Sequence, residues 1–165
     1  MTIREYLRSQ SVPFSVILHA PAPSASRVAQ AVHLSGQRVA KAVLLRSGTQ
    51  FLLAVLPATH RVSLGRLAEV LGQPDVRLAT EEELDRVFTD CEHGALPPFG
   101  RLYGLQTIVD SSLAASGEIL IEGNFRHEGL RMRFRDFEQI EEPQRARFAE
   151  PTSPRHRRIT PRRAG

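Results

Sequence analysis

Hydrophobic and polar positions along this chain follow two periods, one of two residues and one near 3.6, and their order sets out the elements. Thr2-x-x-Glu5 reads as a capping box that opens a short helix to about Ser9, and Val12-Pro13 breaks it. Phe14-Ser15-Val16-Ile17-Leu18 reads as a strand. Pro21 and Pro23 mark a loop, after which Ser24 can cap a second helix. Its apolar face holds Val28, Ala29, Ala31, Val32 and Leu34, and Gly36 ends it. Val39-Ala40-Lys41-Ala42-Val43-Leu44-Leu45 reads as a strand, Ser47-Gly48-Thr49 as a turn and Gln50 to Leu56 as the returning strand. Two such apolar arms suit the centre of a sheet covered on both faces.

Pro57 closes the hairpin. Ser63 can cap a helix through Leu64, Leu67, Ala68, Val70 and Leu71, stopped by Gly72. Val76-Arg77-Leu78 is a short strand, and Thr80-Glu81-Glu82-Glu83 is a second capping box for a helix to about Phe88. The run Asp90 to Gly100 carries two prolines and two glycines and must be a loop of fixed shape. Strands follow at about Gln106–Val109, Glu118–Glu122 and Leu130–Phe134, with a last helical turn over Arg135 to Ile140. Helices and strands interleave with one clear hairpin, which predicts a single α/β domain with a mixed β-sheet flanked by helices.

Charge divides the chain. Residues 1–142 hold 15 basic and 17 acidic residues, whereas residues 143–165 hold seven Arg and one Glu. The expected organisation is therefore a folded domain over 1–142 and a basic Arg/Pro-rich tail over 143–165, without fixed structure. Such a tail either attracts phosphate without specificity or is merely solvated. No apolar run reaches the roughly 18 residues of a membrane span, and the N-terminus has no apolar signal region, so a cytoplasmic protein with no membrane partner is expected. Cys91 is the only cysteine. The histidines show no His-x-x-x-His spacing, so neither a metal site nor a cofactor is expected.

Of 22 basic residues only Lys41 is a lysine, and it stands in an apolar strand. Arginine and lysine are not interchangeable, so a compact ammonium is wanted there. A buried charge needs a partner, and a bound phosphate or carboxylate would serve, as would an ordinary ion pair or a side chain that reaches water. In Gly94-Ala95-Leu96-Pro97-Pro98-Phe99-Gly100 the glycines allow close backbone approach and the prolines hold the shape, so exposed N–H groups could take a carbonyl oxygen; a stiff connector is the alternative. Asp110 either binds ligand or caps the turn through Ser111-Ser112, the latter being favoured. Asn124, His127 and His19 could read a substrate's polar groups or satisfy loop backbone. Cys91 with His93 nearby could be a nucleophile, though a structural cysteine fits better.

The run from Ala29-x-Ala31 through Val39–Leu45, then Leu53-Ala54-Val55-Leu56-Pro57-Ala58, then Gly94 to Gly100, then Ile108-Val109-Asp110, resembles the YbaK/ProX family. These are aminoacyl-tRNA editing domains, also inserted in bacterial prolyl-tRNA synthetases. The resemblance covers about residues 1–140. It implies a pocket between the lysine strand and the Gly-x-x-x-Pro loop, and hydrolysis of the ester joining a wrong amino acid to the 3′ end of a tRNA. Lys41 and Gly94 match the family's functional lysine and loop glycine. His19, Ala95, Leu96, Pro97, Pro98, Phe99, Gly100, Asp110, Asn124 and His127 are the expected substrate contacts.

The expected partners are aminoacyl-tRNA and a synthetase, with no DNA. An aminoacyl ester is already activated, so positioning and electrostatics suffice without metal or covalent nucleophile. Departures from relatives touch the pocket wall: Val16-Ile17-Leu18 lacks an aromatic residue, and Arg131 and Arg133 stand where some members carry an acid. The alternatives are a non-catalytic aminoacyl-tRNA or RNA-binding module of the same fold, and an RNA-associated protein dominated by its tail.

Overall fold

Two sheets and the helices packed on them make up the protein, whose computed structural model describes residues 1–21 and 35–152. The helix expected from Ser24 to Leu34 lies outside the described residues. In chain order the elements are α1 (Ile3–Ser9), β1 (Ser15–Leu18), β2 (Ala40–Ser47), β3 (Gln50–Pro57), β4 (His60–Val62), α2 (Leu64–Leu71), β5 (Val76–Leu78), α3 (Glu81–Val87), β6 (Gln106–Asp110), β7 (Glu118–Glu122), β8 (Glu128–Arg133), α4 (Phe134–Glu141), β9 (Gln144–Ala146) and β10 (Ala149–Pro151). Single 3₁₀ turns lie at Gly36–Arg38, Gly100–Tyr103 and Ser111–Ser116.

The start and stop signals act as expected. Thr2 and Thr80 each close a full capping box with the glutamate three residues on, an arrangement that satisfies two otherwise orphaned N–H groups. Gly72 ends α2 in the left-handed conformation, at φ 63°.

The larger sheet has the order β5-β2-β3-β6-β9, with β2 antiparallel to β3 and β5, and β6 parallel to both β3 and β9. The mixed sheet of the expected α/β class is thus present. A second, antiparallel sheet has the order β1-β8-β7. Val39 forms a parallel bridge with Leu120, which joins the start of β2 to β7. Alternation along β2 and β3 divides the core. Ala40 and Val55 face Ile119, Ile121, Leu130, α1 and the phenylalanines Phe99, Phe134 and Phe137. Leu45, Ala54 and Leu56 face Leu67 of α2 and Phe148. Leu44 and Leu53 meet Phe88 at the end of α3. Glu83 pairs with Arg46 at 2.6 Å and Arg77 at 2.8 Å, which ties α3 to the β2 and β5 edge.

The domain boundary expected at residue 142 falls inside the folded body. β9 adds to the larger sheet and β10 pairs with β4. Between them Phe148 is fully buried, and the Asp110 carboxylate accepts from the Phe148 and Ala149 N–H groups at 2.9 Å each. One aromatic anchor and a buried acceptor outweigh the Arg/Pro-rich composition that suggested a tail from 143. Residues 153–165 lie outside the described residues. No helix among the described residues is long and apolar enough to cross a membrane.

Candidate active site

Lys41 is the second residue of β2, opposite Leu56 of β3. It is half-buried, and burial lowers its pKa from the usual lysine value. Its side chain makes no hydrogen bond or ion pair among the described residues. Its position is set by the Val39–Leu120 bridge. In a parallel bridge the two residues share a face, and residues two further on return to it. Lys41 and Glu122 are those residues, so they leave the bridge on the same side of neighbouring strands.

The same face continues across the second sheet. Glu122 stands opposite Gly129, and Gly129 stands opposite Ile17. Gly129 has no side chain because Leu120 Cδ1 lies 2.8 Å from where a Cβ would be. Two residues beyond Ile17 is His19, whose backbone N–H donates to His127 O at 2.9 Å. His19 Nδ1 is 2.8 Å from Ala20 O, so Nδ1 carries a proton and donates it. Its Nε2 is buried and has no hydrogen-bond partner among the described residues.

The loop meets this face through Glu122. Leu96 N–H donates to Glu122 Oε2 at 3.0 Å. Burial raises the Glu122 pKa; the Leu96 N–H and the charges of His19 and Arg126 oppose that rise. Gly94 sits at φ +88°, and the Arg126 side chain passes 3.4 Å from its would-be Cβ. Ala95 N–H is used within the loop, donating to Glu92 O at 2.9 Å. The Gly94 N–H has no such partner among the described residues. Pro97 and Pro98 are buried beneath. On the α3 side of the loop lies a cavity of about 140 Å³ lined by Leu84, Phe88, Cys91 and Gly94 to Leu96. Lys41 and Glu122 are not in its wall, so it is separate from the face just described.

Several expected substrate contacts are structural instead. Phe99 is fully buried, edge-on to Tyr6 and Phe137 at 5.8 and 5.5 Å, and is a core residue. Gly100 is a packing glycine, since a Cβ there would meet Thr107 Oγ1 at 2.4 Å. Asp110 caps the Ser111–Ser116 turn and anchors residues 148 and 149. Burial would raise its pKa, but the hydrogen bonds from Ser112, Ala149 and Phe148 hold it below the usual value. Asn124 is 1% exposed. Its Oδ1 accepts from Ile3 N–H at 2.7 Å and its Nδ2 donates to Asp90 O at 3.3 Å, so it clasps α1 to the loop. The His127 ring lies at the surface beside Phe125.

Cys91 is half-buried against Tyr103 OH at 3.3 Å, and burial pushes its thiol up to about 11, which fits the structural reading. Glu122 is the residue that sequence reasoning missed. Its signal was the one that singled out Lys41, a charge at the end of an apolar strand.

Comparison with known proteins follows the same lines. Residues 19–140 match the family described as the aminoacyl-tRNA editing domain. Proline--tRNA ligase of Xanthomonas axonopodis pv. citri is 32% identical over 97 residues, which is 59% of this chain and 17% of that protein. Proline--tRNA ligase of Trichlorobacter lovleyi is 29% identical over 100 residues, 60% of this chain and 17% of that one. The chain thus spans about a sixth of the length of these curated relatives. Among solved structures, the hypothetical protein APE2540 superposes with a TM-score of 0.81 at 18% identity, covering 90% of this chain and 99% of that one. A proposed trans-editing enzyme for prolyl tRNA synthetase superposes with a TM-score of 0.78 at 22% identity, covering 90% and 94%. At those identities the structural likeness speaks to the fold.

Proposed function

The chain belongs to the aminoacyl-tRNA editing domain family, and on that premise we propose that it is a free-standing deacylase. Its substrate is the ester joining a wrong amino acid to the 3′ end of a tRNA. The ligase relatives favour tRNA for proline carrying a small wrong amino acid. The observation that carries the reading is the unpaired, half-buried Lys41, set on the same strand face as the carboxylate that fastens the Gly94 loop.

The chemistry follows from these parts. Water adds to the ester carbonyl carbon, the C–O bond to the ribose breaks, and the ribose oxygen leaves with a proton derived from that water. Negative charge develops on the carbonyl oxygen in between. The Lys41 ammonium, already stripped of part of its hydration, favours an anion beside it, either the terminal phosphate or that oxygen. Gly94 N–H, without a hydrogen-bond partner among the described residues, is the donor assigned to the oxyanion, the neighbouring Ala95 and Leu96 donors being engaged. One such donor accounts for roughly 100- to 1,000-fold in rate elsewhere. In its neutral form His19, with Nδ1–H held by Ala20 O, offers the Nε2 lone pair to water or to a ribose hydroxyl.

The test is a deacylation panel: purified protein against tRNA for proline carrying alanine, cysteine, serine or proline, with wild type and Lys41→Ala. Lys41-dependent release of one wrong amino acid, with the prolyl ester spared, is the expected result. Full activity in Lys41→Ala removes the lysine from the mechanism. Absence of release from mischarged tRNAs that the protein nonetheless binds selects the non-catalytic module.

A further inference from the structure

We propose that Glu122 reads the free α-ammonium of the aminoacyl group, so that the site takes aminoacyl esters and refuses their N-acylated forms. The inference rests on the deacylase reading and adds to it the chemical class that the site selects. Glu122 presents one oxygen to the Leu96 N–H, and its other oxygen, Oε1, makes no hydrogen bond among the described residues. Beside Glu122 this face carries Lys41 and His19, both basic, and Arg126 lies against the Gly94 loop, whereas Glu81, Asp85, Glu92 and His93 line the cavity on the α3 side of that loop.

A site built only to hold phosphate and oxyanion gains nothing from a carboxylate, which repels both. A carboxylate is retained where part of the ligand is cationic. In an aminoacyl ester the α-nitrogen is one carbon from the carbonyl. A carbonyl oxygen at the Gly94 N–H therefore sets the ammonium within a few ångströms of the neighbouring loop residues, where Leu96 fixes Glu122. The opposite charges then sort the substrate. Lys41 attracts its nucleotide end, and Glu122 its amino end. Binding an ammonium favours the ionised carboxylate, and so opposes the upward pull that burial exerts on this group.

The alternative role for Glu122 is to hold the loop through Leu96 alone, and one experiment separates the two. The probes are alanyl-3′-amino-3′-deoxyadenosine, whose amide link resists hydrolysis, and its N-acetyl derivative. Both are titrated calorimetrically into the full chain, as wild type and as Glu122→Gln, which keeps an acceptor for Leu96. A hydrogen bond between charged groups contributes about 1.5–3 kcal/mol. Wild type should therefore bind the free amine roughly 10- to 100-fold tighter than the acetylated form. Glu122→Gln should lose that preference while its affinity for the acetylated probe changes less than twofold.

Equal affinities in wild type, a preference that survives in the variant, or no binding of either probe overturns the proposal. The wild-type comparison needs no variant and stands even if Glu122→Gln fails to fold. Alanyl-tRNA and N-acetylalanyl-tRNA hydrolysis is measured in parallel. Glu122-dependent preference without hydrolysis of either ester defeats the deacylase reading and leaves the recognition intact. Equal hydrolysis with equal binding does the reverse.

Discussion

Glu141 makes the stability of this protein depend on pH in a direction opposite to that of most carboxylates. It closes α4, is 1% exposed, and accepts hydrogen bonds on Oε1 from Thr107 Oγ1 and, at 3.1 Å, from Arg101 N–H. Its other oxygen, Oε2, is buried without a partner among the described residues. Burial pushes its carboxyl up to about 7, against the pull of Thr107, Arg101 and Gly100. In the unfolded chain the same group ionises near 4.5. Between these values the folded state holds a proton that the unfolded state has lost. The stabilisation is therefore complete below about pH 4.5 and is lost as pH rises through about 7. A shift of that size, at about 1.4 kcal/mol per unit, corresponds to about 3 kcal/mol across the window.

Glu141→Gln mimics the neutral acid, keeping an acceptor on the Oε1 side. Urea midpoints at pH 5 and pH 7.5, with the slope of the transition checked for constancy, measure the effect. The variant should gain on wild type by about 2–3 kcal/mol between the two pH values. Taking the difference between the proteins cancels other groups that titrate in the same range. If the two proteins differ by the same amount at both pH values, Glu141 is ionised throughout and the argument fails.

Three further outcomes are expected. Gly94→Val should fold but lose hydrolysis, because φ +88° strains any side chain and Arg126 already occupies the space beside it; such strain costs about 1–3 kcal/mol, and a near-normal deacylation rate would take the loop out of the mechanism. Cys91→Ser should retain rates within about twofold, since a thiol pushed up to about 11 supplies no thiolate at neutral pH; a large loss in a folded variant would restore the nucleophile. Phe148→Ala should destabilise the whole domain by about 3–5 kcal/mol in a urea titration, and a loss below about 1 kcal/mol would mean that the segment from 143 onward folds independently of the body.

The elements that were legible in the sequence are those whose cause is local. A capping threonine and its glutamate lie three residues apart, and the two arms of the β2–β3 hairpin carry their own apolar runs. What escaped was decided by distant partners. β4, β9 and β10 have three residues each, of which His60-Arg61, Gln144-Arg145 and Glu150-Pro151 are polar or strand-breaking, and exist because β6 and each other supply the ladder. Asn124 sits in a polar loop, as a ligand-reading residue would. Its amide oxygen is nonetheless spent on the N–H of Ile3, 121 positions away. Asp110 likewise read as either ligand or cap, and its second oxygen answers to N–H groups 38 and 39 residues later.

The site itself was half legible for the same reason. Lys41 and the Gly94 loop each announce a constraint on their own: one desolvated ammonium in an apolar strand, one backbone held in a conformation suited to glycine. Nothing in either segment says that the two lie near one strand face. The link is Glu122, 26 residues after Leu96, on a strand joined to the start of β2 by the Val39–Leu120 bridge. The Pro-Pro run foretold a rigid loop, but rigidity does not say which donors stay open. Glu92 and Glu122 take the Ala95 and Leu96 donors, whereas the Gly94 N–H has no such partner among the described residues. On the proposed deacylase reading, rate should be more sensitive to the backbone at Gly94 than to the side chains of Ala95 and Leu96, whose N–H groups are engaged.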